Sequence, residues 1–192
     1  MPLKVCSPFD QSTLNALRAG DRVLLSGVVY TARDAAHARL CAALAAGESL
    51  PADLKGQTIF YAGPTPTPPG RASGSIGPTT SVRMDPFTPQ LLRYGVKAVI
   101  GKGQRGPDMR AAFAEAGAVY FVAVGGAAAC LAACVQSVEV VAYPDLGTES
   151  VKRLVVRDFP LTVALDTLGN DFYLEGPKRY QESAQNSSCK TE

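Results

Sequence analysis

The five cysteines of the sequence lack the spacings that hold metal clusters or build disulfide frameworks. Their number is odd and no two form a Cys-x-x-Cys pair, so neither a disulfide scaffold nor a self-contained zinc or iron–sulfur site is predicted. Two of them stand four residues apart among alanine, leucine and valine, and this setting favours buried apolar side chains over metal ligands. The five are Cys6, Cys41, Cys130, Cys134 and Cys189, with Cys130 and Cys134 as the close pair.

The sequence also lacks a long apolar run and a strong charge of either sign. No run reaches the length of a membrane-spanning helix, and the N-terminal segment MPLKVCSPFD does not have the charged and apolar regions of a signal peptide. The net charge is +2 and the basic residues are scattered, which argues against a nucleic-acid surface. We therefore expect a cytoplasmic protein whose partners include no membrane and no nucleic acid.

What the sequence does contain is enough apolar material for a normal core. It has 192 residues, of which 46% are apolar and 19% charged, as expected for one domain. No internal repeat and no linker divides it. We predict a single domain over residues 1–180 and a polar, flexible tail over residues 181–192.

Strand and helix patterns alternate along most of the chain. Strands are predicted in RVLLSGVVY, QTIFYAG, KAVIGKG and AVYFVAV, and helices in AAHARLCAALAAG, QLLRYG, DMRAAFAEAG and the alanine-rich segment around Cys130. Asp34 is the predicted N-cap of the first of these helices, and Thr88 with Pro89 begins the second. The segments SVEVVAYPDLG, SVKRLVVRDFPLTVALD and NDFYLEG are predicted strands. The fold class is therefore α/β with a β-rich end.

Residues 63–80 form a loop that is too rich in proline and glycine for a helix or a central strand. The motif GPTTSVRMD closes it and places two threonines, a serine and an arginine close together. Loops of this length are usually functional or disordered, and the ordered motif that follows favours function.

Three predicted junctions between strands and helices contain residues that suit an anion. Small ligands bind at such junctions in α/β folds, where helix N-termini present free N–H groups. Two arginines and a lysine suit a substrate with two carboxylates, because a guanidinium grips a carboxylate with two parallel hydrogen bonds. The residues are Arg33 and His37 at the first junction, Thr79, Thr80, Ser81 and Arg83 at the second, and Lys102 at the third.

Each of these residues also has a plain structural interpretation. Arg33 could pair with Asp34 or another surface acid, and His37 could cap its own helix. The threonines could cap a helix without touching a ligand. Lys102, which lies between two glycines, could be a solvated side chain in a turn.

A resemblance to a known family changes this balance. Four segments, in order, resemble the β subunit, or C-terminal domain, of the class I iron–sulfur fumarate hydratases and L-tartrate dehydratases. They are GVVYTARDAAHARL, YAGPTPTPPGRASGSIGPTTSVRMD, GVKAVIGKG and DLGTESVKRLVVRDFPLTVALDTLGNDFY. The resemblance extends from about residue 10 to residue 175. It implies a swivelling β/β/α domain that closes over an iron–sulfur domain, in a hetero-oligomer with an α subunit.

The resemblance also implies a cofactor and a set of site residues. A [4Fe–4S] cluster is held by three cysteines of the α subunit and none of this chain, with one iron open to the substrate. Arg33 and Arg83 are expected to bind the substrate carboxylates, and Lys102 to contribute to the same anionic pocket. Thr79 is expected to lie next to the carbon that loses or gains a proton.

Three further residues are expected to support this site. Thr80 and Ser81 are treated as supporting hydrogen bonders. His37 lies in the matching RDAAH motif, where capping of its own helix explains it equally well. If TTSVR turns helical after Pro78, Arg83 lies on the same face as Thr79 and polarises its hydroxyl, which makes both residues catalytic candidates.

The preferred function is the β subunit of a class I fumarate hydratase, which converts fumarate reversibly to L-malate and is active only with its α subunit. The iron acts as a Lewis acid on the substrate hydroxyl. Two alternatives stay open at this point: the β subunit of an L-tartrate dehydratase, and a non-catalytic module that binds dicarboxylates.

Overall fold

The computed structural model describes residues 1–188 of the 192, apart from the side chains of residue 179 and residues 182–188. Within this range the chain forms seven strands: β1 (Leu3–Ser7), β2 (Arg22–Thr31), β3 (Thr58–Phe60), β4 (Ala98–Gly101), β5 (Val119–Val122), β6 (Val135–Ala142) and β7 (Val151–Leu165). It also forms six α-helices: α1 (Gln11–Ala16), α2 (Asp34–Ala45), α3 (Thr88–Tyr94), α4 (Met109–Ala116), α5 (Ala128–Ala133) and α6 (Phe172–Ser188). Two 3₁₀ helices span Ser81–Met84 and Pro144–Glu149.

The strands form one sheet that closes into a small barrel. Neighbouring strands follow the order β1-β2-β3-β4-β5-β7-β6, and β2 pairs in addition with β7. Strands β1 to β5 run parallel, whereas β7 is antiparallel to β2, β5 and β6. Because the long strand β7 pairs with both β2 and β5, it closes the ring β2-β3-β4-β5-β7, and β1 lies beside β2 outside this ring. The predicted α/β class with a β-rich end is confirmed in this form, and the swivelling β/β/α domain stays a prediction.

Two apolar clusters fill the inside and the outside of the sheet. Successive residues of a strand point to opposite faces, so Phe60 and Phe121 belong to the inner cluster while Ile59 and Tyr120 belong to the outer one. Phe60 meets Phe159 of β7 edge to face, with ring centroids 5.5 Å apart. The outer cluster lies beneath α2, α3 and α4. These helices cover the face of the sheet on which the polar residues described below are found.

The segment NDFYLEG is the clearest error of the sequence prediction, because it begins helix α6 and is not a strand. The Asp171 carboxylate accepts a hydrogen bond from the backbone N–H of Tyr173 at 2.9 Å, which satisfies a donor of the first helical turn. Residues 181–188, in the predicted tail, continue this helix. Strand β1 and helix α1 were not predicted; the Asp10 side chain caps α1 through the N–H of Thr13.

Two helix starts differ from the prediction by one residue. Asp34 is the first helical residue of α2, and Arg33 holds the N-cap position without a capping hydrogen bond from its side chain. Thr88 is likewise the first residue of α3, with Phe87 as its N-cap. The Thr88 hydroxyl donates back to the carbonyl of Met84 at 2.8 Å. Neither predicted cap residue therefore occupies the N-cap position of its helix.

The predicted burial of Cys130 is wrong. Helix α5 has Leu131 as its buried residue, and its Cys130 side chain is exposed. Cys134 is half-buried at the end of the helix and packs against the inner cluster. Cys189 lies outside the described residues. Over the described range no helix combines the length and the apolar character needed to cross a membrane.

Candidate functional site

The topology brings the three predicted junctions to one edge of the sheet. Strands β2, β3 and β4 are parallel neighbours, with Thr31 beside Phe60 and Phe60 beside Ile100. Each junction follows the carboxyl end of one of these strands. A further backbone bridge pairs Thr80 with Lys102. The second and third junctions are therefore in direct contact.

Both predicted arginines converge on the carboxylate of Asp34. Nη2 of Arg83 lies 2.8 Å from Asp34 Oδ1, and Nε of Arg33 lies 3.5 Å from Asp34 Oδ2. The Arg33 side chain is 26% exposed and that of Arg83 is 52% exposed. The pairing of Arg33 with Asp34, proposed above as its plain structural interpretation, is thus present. It engages only one nitrogen of each guanidinium.

Glu149 is a second acid at this site, and the sequence reasoning missed it. Its Oε1 lies 3.4 Å from Arg33 Nε, and its Oε2 accepts a hydrogen bond from the backbone N–H of Ala35 at 2.9 Å. Glu149 therefore caps helix α2 in place of the predicted Asp34. An acid that follows a distant turn gives no local signal that it caps this helix.

The outer nitrogens of the two guanidiniums remain mostly open. Among the described residues, the Nη atoms of Arg33 have no ion pair and no hydrogen bond, and Arg83 has only its contact with Asp34. Together with Lys102 the site contains three cations against two carboxylates. This excess of positive charge, with donors left free, is suited to an anionic ligand.

Lys102 lies half-buried where β4 ends. Its ammonium forms no ion pair with any described residue. Gly125, in the loop after β5, leaves space for it, since a Cβ atom there would lie 3.5 Å from Lys102 Cδ. The lysine therefore points along the loop that follows the next strand and keeps its charge available.

Thr79 has a free hydroxyl at the same edge. Its backbone N–H donates to the Tyr61 carbonyl at 2.6 Å, and its carbonyl accepts from the N–H of Lys102 at 3.3 Å. No described residue hydrogen-bonds to its half-buried side chain. The expectation that TTSVR is helical from Thr79 is wrong, because these strand-like backbone bonds delay the 3₁₀ helix until Ser81. Capping by the threonines is not observed either, since the N-cap residue Thr80 makes no capping bond with its side chain.

Ser81 is completely buried beneath the lysine junction. Its Oγ accepts a hydrogen bond from the N–H of Lys102 at 3.0 Å and lies 2.8 Å from the Tyr120 hydroxyl. A Cβ atom at Gly101 would collide with this Oγ. Ser81 therefore supports the Lys102 backbone from below, and in this structure its side chain is not open to a ligand.

His37 is also completely buried. Its Nδ1 lies 3.0 Å from the Arg33 carbonyl and donates to it, and its ring meets Tyr61 edge to face at 5.0 Å. Burial lowers the pKa of His37 to about 4, so the ring is neutral at neutral pH. The predicted capping of its own helix is what the structure shows, and this bond holds the Arg33 backbone in place.

A third arginine, Arg105, lies in the interior beneath the site and was missed by the sequence reasoning. Its Nε pairs with Asp85 Oδ1 at 2.5 Å and its Nη2 donates to Thr88 Oγ1 at 2.7 Å. The guanidinium also lies 5.0 Å from the ring centre of Tyr120 and 5.5 Å from that of Tyr61. It comes from the irregular segment GQRGPD, where no periodic pattern indicates burial.

The cysteines within residues 1–188 do not fit an iron–sulfur cluster. Cys6 is exposed on β1, Cys41 is buried on α2, and Cys130 and Cys134 lie together at α5. In residues 1–188 no three His, Cys, Asp or Glu side chains are grouped closely enough to hold a metal ion. A cluster therefore has no ligand set among the described residues.

Comparison with known proteins gives a consistent set of relatives. The family model described as "Fumarase C-terminus" matches residues 3–176. The class I aerobic fumarate hydratase of Escherichia coli (strain K12) is 42% identical over 154 residues, 79% of this chain and 28% of that protein. Fumarate hydratase 2 of Leishmania major is 40% identical over 170 residues, 86% of this chain and 30% of that protein.

A third relative is matched by this chain over most of its length. The putative L(+)-tartrate dehydratase subunit beta of Methanocaldococcus jannaschii is 40% identical over 172 residues, 86% of this chain and 88% of that protein. The chain thus spans less than a third of the two fumarate hydratases, at 28% and 30%, but most of this subunit.

Proposed function

The chain belongs to the fumarase C-terminus family, and from that premise we propose that it is the β subunit of a class I fumarate hydratase. In this function it hydrates fumarate reversibly to L-malate, a hydro-lyase reaction, together with an iron–sulfur α subunit. The observation that supports this most strongly is the meeting of Arg33, Arg83 and Lys102 at one edge of the sheet, with donors left open. Relatives named as fumarate hydratases have 40–42% identity to the chain.

The charges of the site suit a substrate with two carboxylates. Fumarate is a rigid dianion, and two guanidiniums on separate elements can each bind one of its ends with paired hydrogen bonds. The Lys102 ammonium adds a point charge that does not impose a direction. Thr80, on the bridge to Lys102, is proposed to add a hydrogen bond, whereas Ser81 and His37 support the site from beneath.

Thr79 is proposed to transfer the proton at the carbon beside a substrate carboxylate. Its hydroxyl has no described partner, and its backbone is fixed to Tyr61 and Lys102. In the assembled enzyme, Thr79→Ala is expected to lower kcat at least about a hundredfold, the usual scale of an acid–base contribution. Thr79→Ser is expected to keep much of the activity. If alanine lowers Tm and leaves kcat intact, Thr79 is a structural residue.

The cluster is proposed to come from the α subunit, because no described side chains of this chain fit it. When bound, it supplies Lewis-acid chemistry at the substrate hydroxyl. The contribution of this chain is then to bind the carboxylates, to orient them and to move a proton at Thr79. Closure of a swivelling domain over the iron–sulfur domain is part of the same proposal.

An L-tartrate dehydratase β subunit is the second candidate. The observation that favours it is coverage, since this chain matches 88% of the length of the relative named as a tartrate dehydratase subunit. Tartrate also has two carboxylates, so the arginines alone do not separate the two substrates.

The test is an assay of the assembled enzyme. The chain is co-expressed with the protein encoded beside it, iron and sulfide are reconstituted without oxygen, and fumarate, mesaconate and both tartrates are assayed. Hydration of fumarate as the best reaction supports the proposal, and dehydration of L-tartrate as the best reaction replaces it with the second candidate. The chain alone is expected to bind no cluster and to be inactive. A fully loaded assembly without either activity contradicts both and favours a dicarboxylate-binding module.

A further inference from the structure

We propose that Glu149, the last residue of the 3₁₀ segment Pro144–Glu149, positions Arg33. The buried ammonium of Lys152 holds the end of this segment, residues 147–149, in place. The inference rests on the proposed function only in assigning a substrate carboxylate to Arg33. The positioning itself concerns contacts within this chain. Neither Glu149 nor Lys152 was among the site residues predicted from the sequence.

Lys152, on β7, holds this segment from the interior of the protein. Its side chain enters the protein from β7 and is 8% exposed, yet no described carboxylate pairs with it. Its ammonium donates to the carbonyls of Gly147 at 2.9 Å and Thr148 at 3.1 Å, and to Ser150 Oγ at 2.6 Å. An ammonium has three donors, so all of them are used on the end of this segment and on Ser150, the residue that follows it. Burial lowers the pKa of Lys152, because the charged form loses solvation there.

A close approach at Gly63 fixes the other side of the segment. A Cβ atom at Gly63 would lie 2.9 Å from the Thr148 carbonyl and 3.4 Å from Arg33 Cδ. Any larger residue would therefore push the segment and the arginine stem apart. The segment is confined between Lys152 in the interior and the start of the long loop.

Glu149 connects this fixed segment to Arg33. One carboxylate oxygen accepts the N–H of Ala35 and the other lies 3.4 Å from Arg33 Nε. Arg33 Nε is buried without a hydrogen bond, so Glu149 acts on it as an ion pair, beside Asp34 Oδ2 at 3.5 Å. Two acids on the Nε side of the planar guanidinium leave the edge with the two Nη atoms facing away from them. Those Nη atoms are the donors without a partner among the described residues. Orientation before binding reduces the entropy that a ligand must overcome.

The segment also offers a matched control. Asp145 accepts two hydrogen bonds from Arg39, at 2.9 Å and 2.6 Å. This is a carboxylate–arginine pair in the same 3₁₀ segment, and Arg39 is exposed on the outer face of α2. It has no contact with Arg33. Loss of this pair changes the charge of the segment by the same amount as loss of the Glu149 carboxylate.

The kinetic test compares Glu149→Gln with Asp145→Asn in the assembled enzyme. Glutamine keeps an acceptor for the Ala35 N–H but loses the charge facing Arg33 Nε. We expect KM for the dicarboxylate to rise about fivefold, the scale of one partly exposed ion pair, with kcat changed less than about twofold, because the arginine binds ground and transition state alike. Asp145→Asn is expected to leave both constants unchanged. An unchanged KM in Glu149→Gln, or an equal rise in both variants, overturns the proposal.

A second readout uses the full chain without its partner and is independent of activity. The Nε–H proton of Arg33, observed by ¹H–¹⁵N NMR, is expected to exchange slowly in the wild type and in Asp145→Asn, and rapidly in Glu149→Gln. Glu149→Asp, which keeps the charge but withdraws it by one methylene, is expected to lie in between. If this pattern appears and the assembly hydrates no dicarboxylate, the positioning stands and the proposed function fails. If Arg33 exchange is the same in all four proteins, the positioning is overturned whatever the assembly catalyses.

Discussion

Two regions of the molecule use arginine and carboxylate in opposite ways. In the enclosed region, Arg105 has 1% of its side chain exposed and is surrounded by Asp85, Thr88 and aromatic rings. In the open region, Arg33 and Arg83 have 26% and 52% of their side chains exposed and retain outer nitrogens without partners. The regions are adjacent, since Thr88 and Tyr61 contact Arg105 while Tyr61 also contacts His37 under Arg33.

The comparison teaches that the exposure of the guanidinium and of its unpaired donors separates the two roles, whereas residue type and proximity do not. A buried guanidinium must have its charge and most of its N–H groups satisfied internally. Arg105 meets this requirement at Nε and Nη2 and contributes to stability and shape, while its Nη1 is buried without a hydrogen bond and out of reach of a ligand. Arg33 and Arg83 are paired on one nitrogen each, which fixes their direction and leaves the remainder for a ligand.

The largest effect is expected from breaking the enclosed pair. Asp85→Ala leaves a buried guanidinium without its carboxylate and removes the acceptor of the Gly106 N–H, so the free energy of unfolding should fall by about 3 to 5 kcal/mol. Replacing both partners, as Asp85→Ala with Arg105→Met, should cost less than the single change. Urea denaturation of the three proteins measures this. A loss below about 1 kcal/mol in Asp85→Ala would mean that the pair is dispensable.

Substitutions of the arginines in the open region should weaken substrate binding and change the stability of the fold very little. Arg33→Leu and Arg83→Leu in the assembled enzyme are each expected to lower kcat/KM by about 30-fold or more, equivalent to about 2 kcal/mol. Lysine should restore little, because it cannot form the forked contact. Steady-state kinetics tests the expected loss of kcat/KM, and thermal denaturation tests the expected small change in stability. Unchanged kinetics in both leucine variants would make these arginines surface partners of Asp34.

A smaller effect is expected where the two regions meet, at Gly101. Gly101→Ala pushes against Ser81 Oγ, which accepts the N–H of Lys102, and overpacking of this kind costs about 1 to 3 kcal/mol. The double variant with Ser81→Gly should recover part of the loss by removing the colliding atoms. Denaturation midpoints of the single and double variants test the steric cause. If the stability lost by the double variant equals the sum of the losses in the two single variants, the collision is not the cause.

The smallest effect is a pH dependence that originates at His37. The folded state holds it neutral down to a pKa of about 4, whereas an unfolded histidine takes up its proton near pH 6.5. The unfolded state therefore binds one more proton between these values, and stability should fall by about 1.4 kcal/mol per pH unit as the pH drops through that window.

The His37→Gln variant isolates this contribution. Glutamine does not titrate, so the difference in unfolding free energy between wild type and variant should change with pH, while the carboxylates common to both cancel. Urea denaturation from about pH 7 to about pH 5 gives this difference. Parallel pH profiles would show that His37 is not held neutral by the fold.

The sequence predicted the open region better than the enclosed one, for physical reasons. The residues Arg33, Arg83 and Lys102 follow strands, and parallel strands deliver their carboxyl ends to one edge, so local patterns suffice. Glu149 and Lys152 are more than a hundred residues from Arg33 and act through tertiary contacts. The burial of Arg105 likewise depends on Asp85 and on the rings of Tyr61, Phe113 and Tyr120, which no local pattern encodes.

The secondary-structure elements divide in the same way, into those that local patterns predicted and features that long-range contacts determine. Strand β7 and helices α2 and α4 were predicted from their patterns, because alternation and helix formers are local properties. The start of helix α6, in NDFYLEG, was predicted as a strand, and the Asp171 side chain that caps the helix was not weighed. The pairing of β7 with both β2 and β5, which closes the barrel, is a long-range property that the strand pattern alone did not give.

The most direct test of the difference between the two regions is protection of arginines from chemical modification. The assembled enzyme is treated with phenylglyoxal with and without a saturating dicarboxylate, and modified positions are identified by mass spectrometry. We predict that Arg33 and Arg83 react without ligand and are protected by it, while Arg105 reacts in neither sample. Equal modification of Arg33 and Arg83 with and without ligand would contradict the proposal that the open arginines bind the substrate.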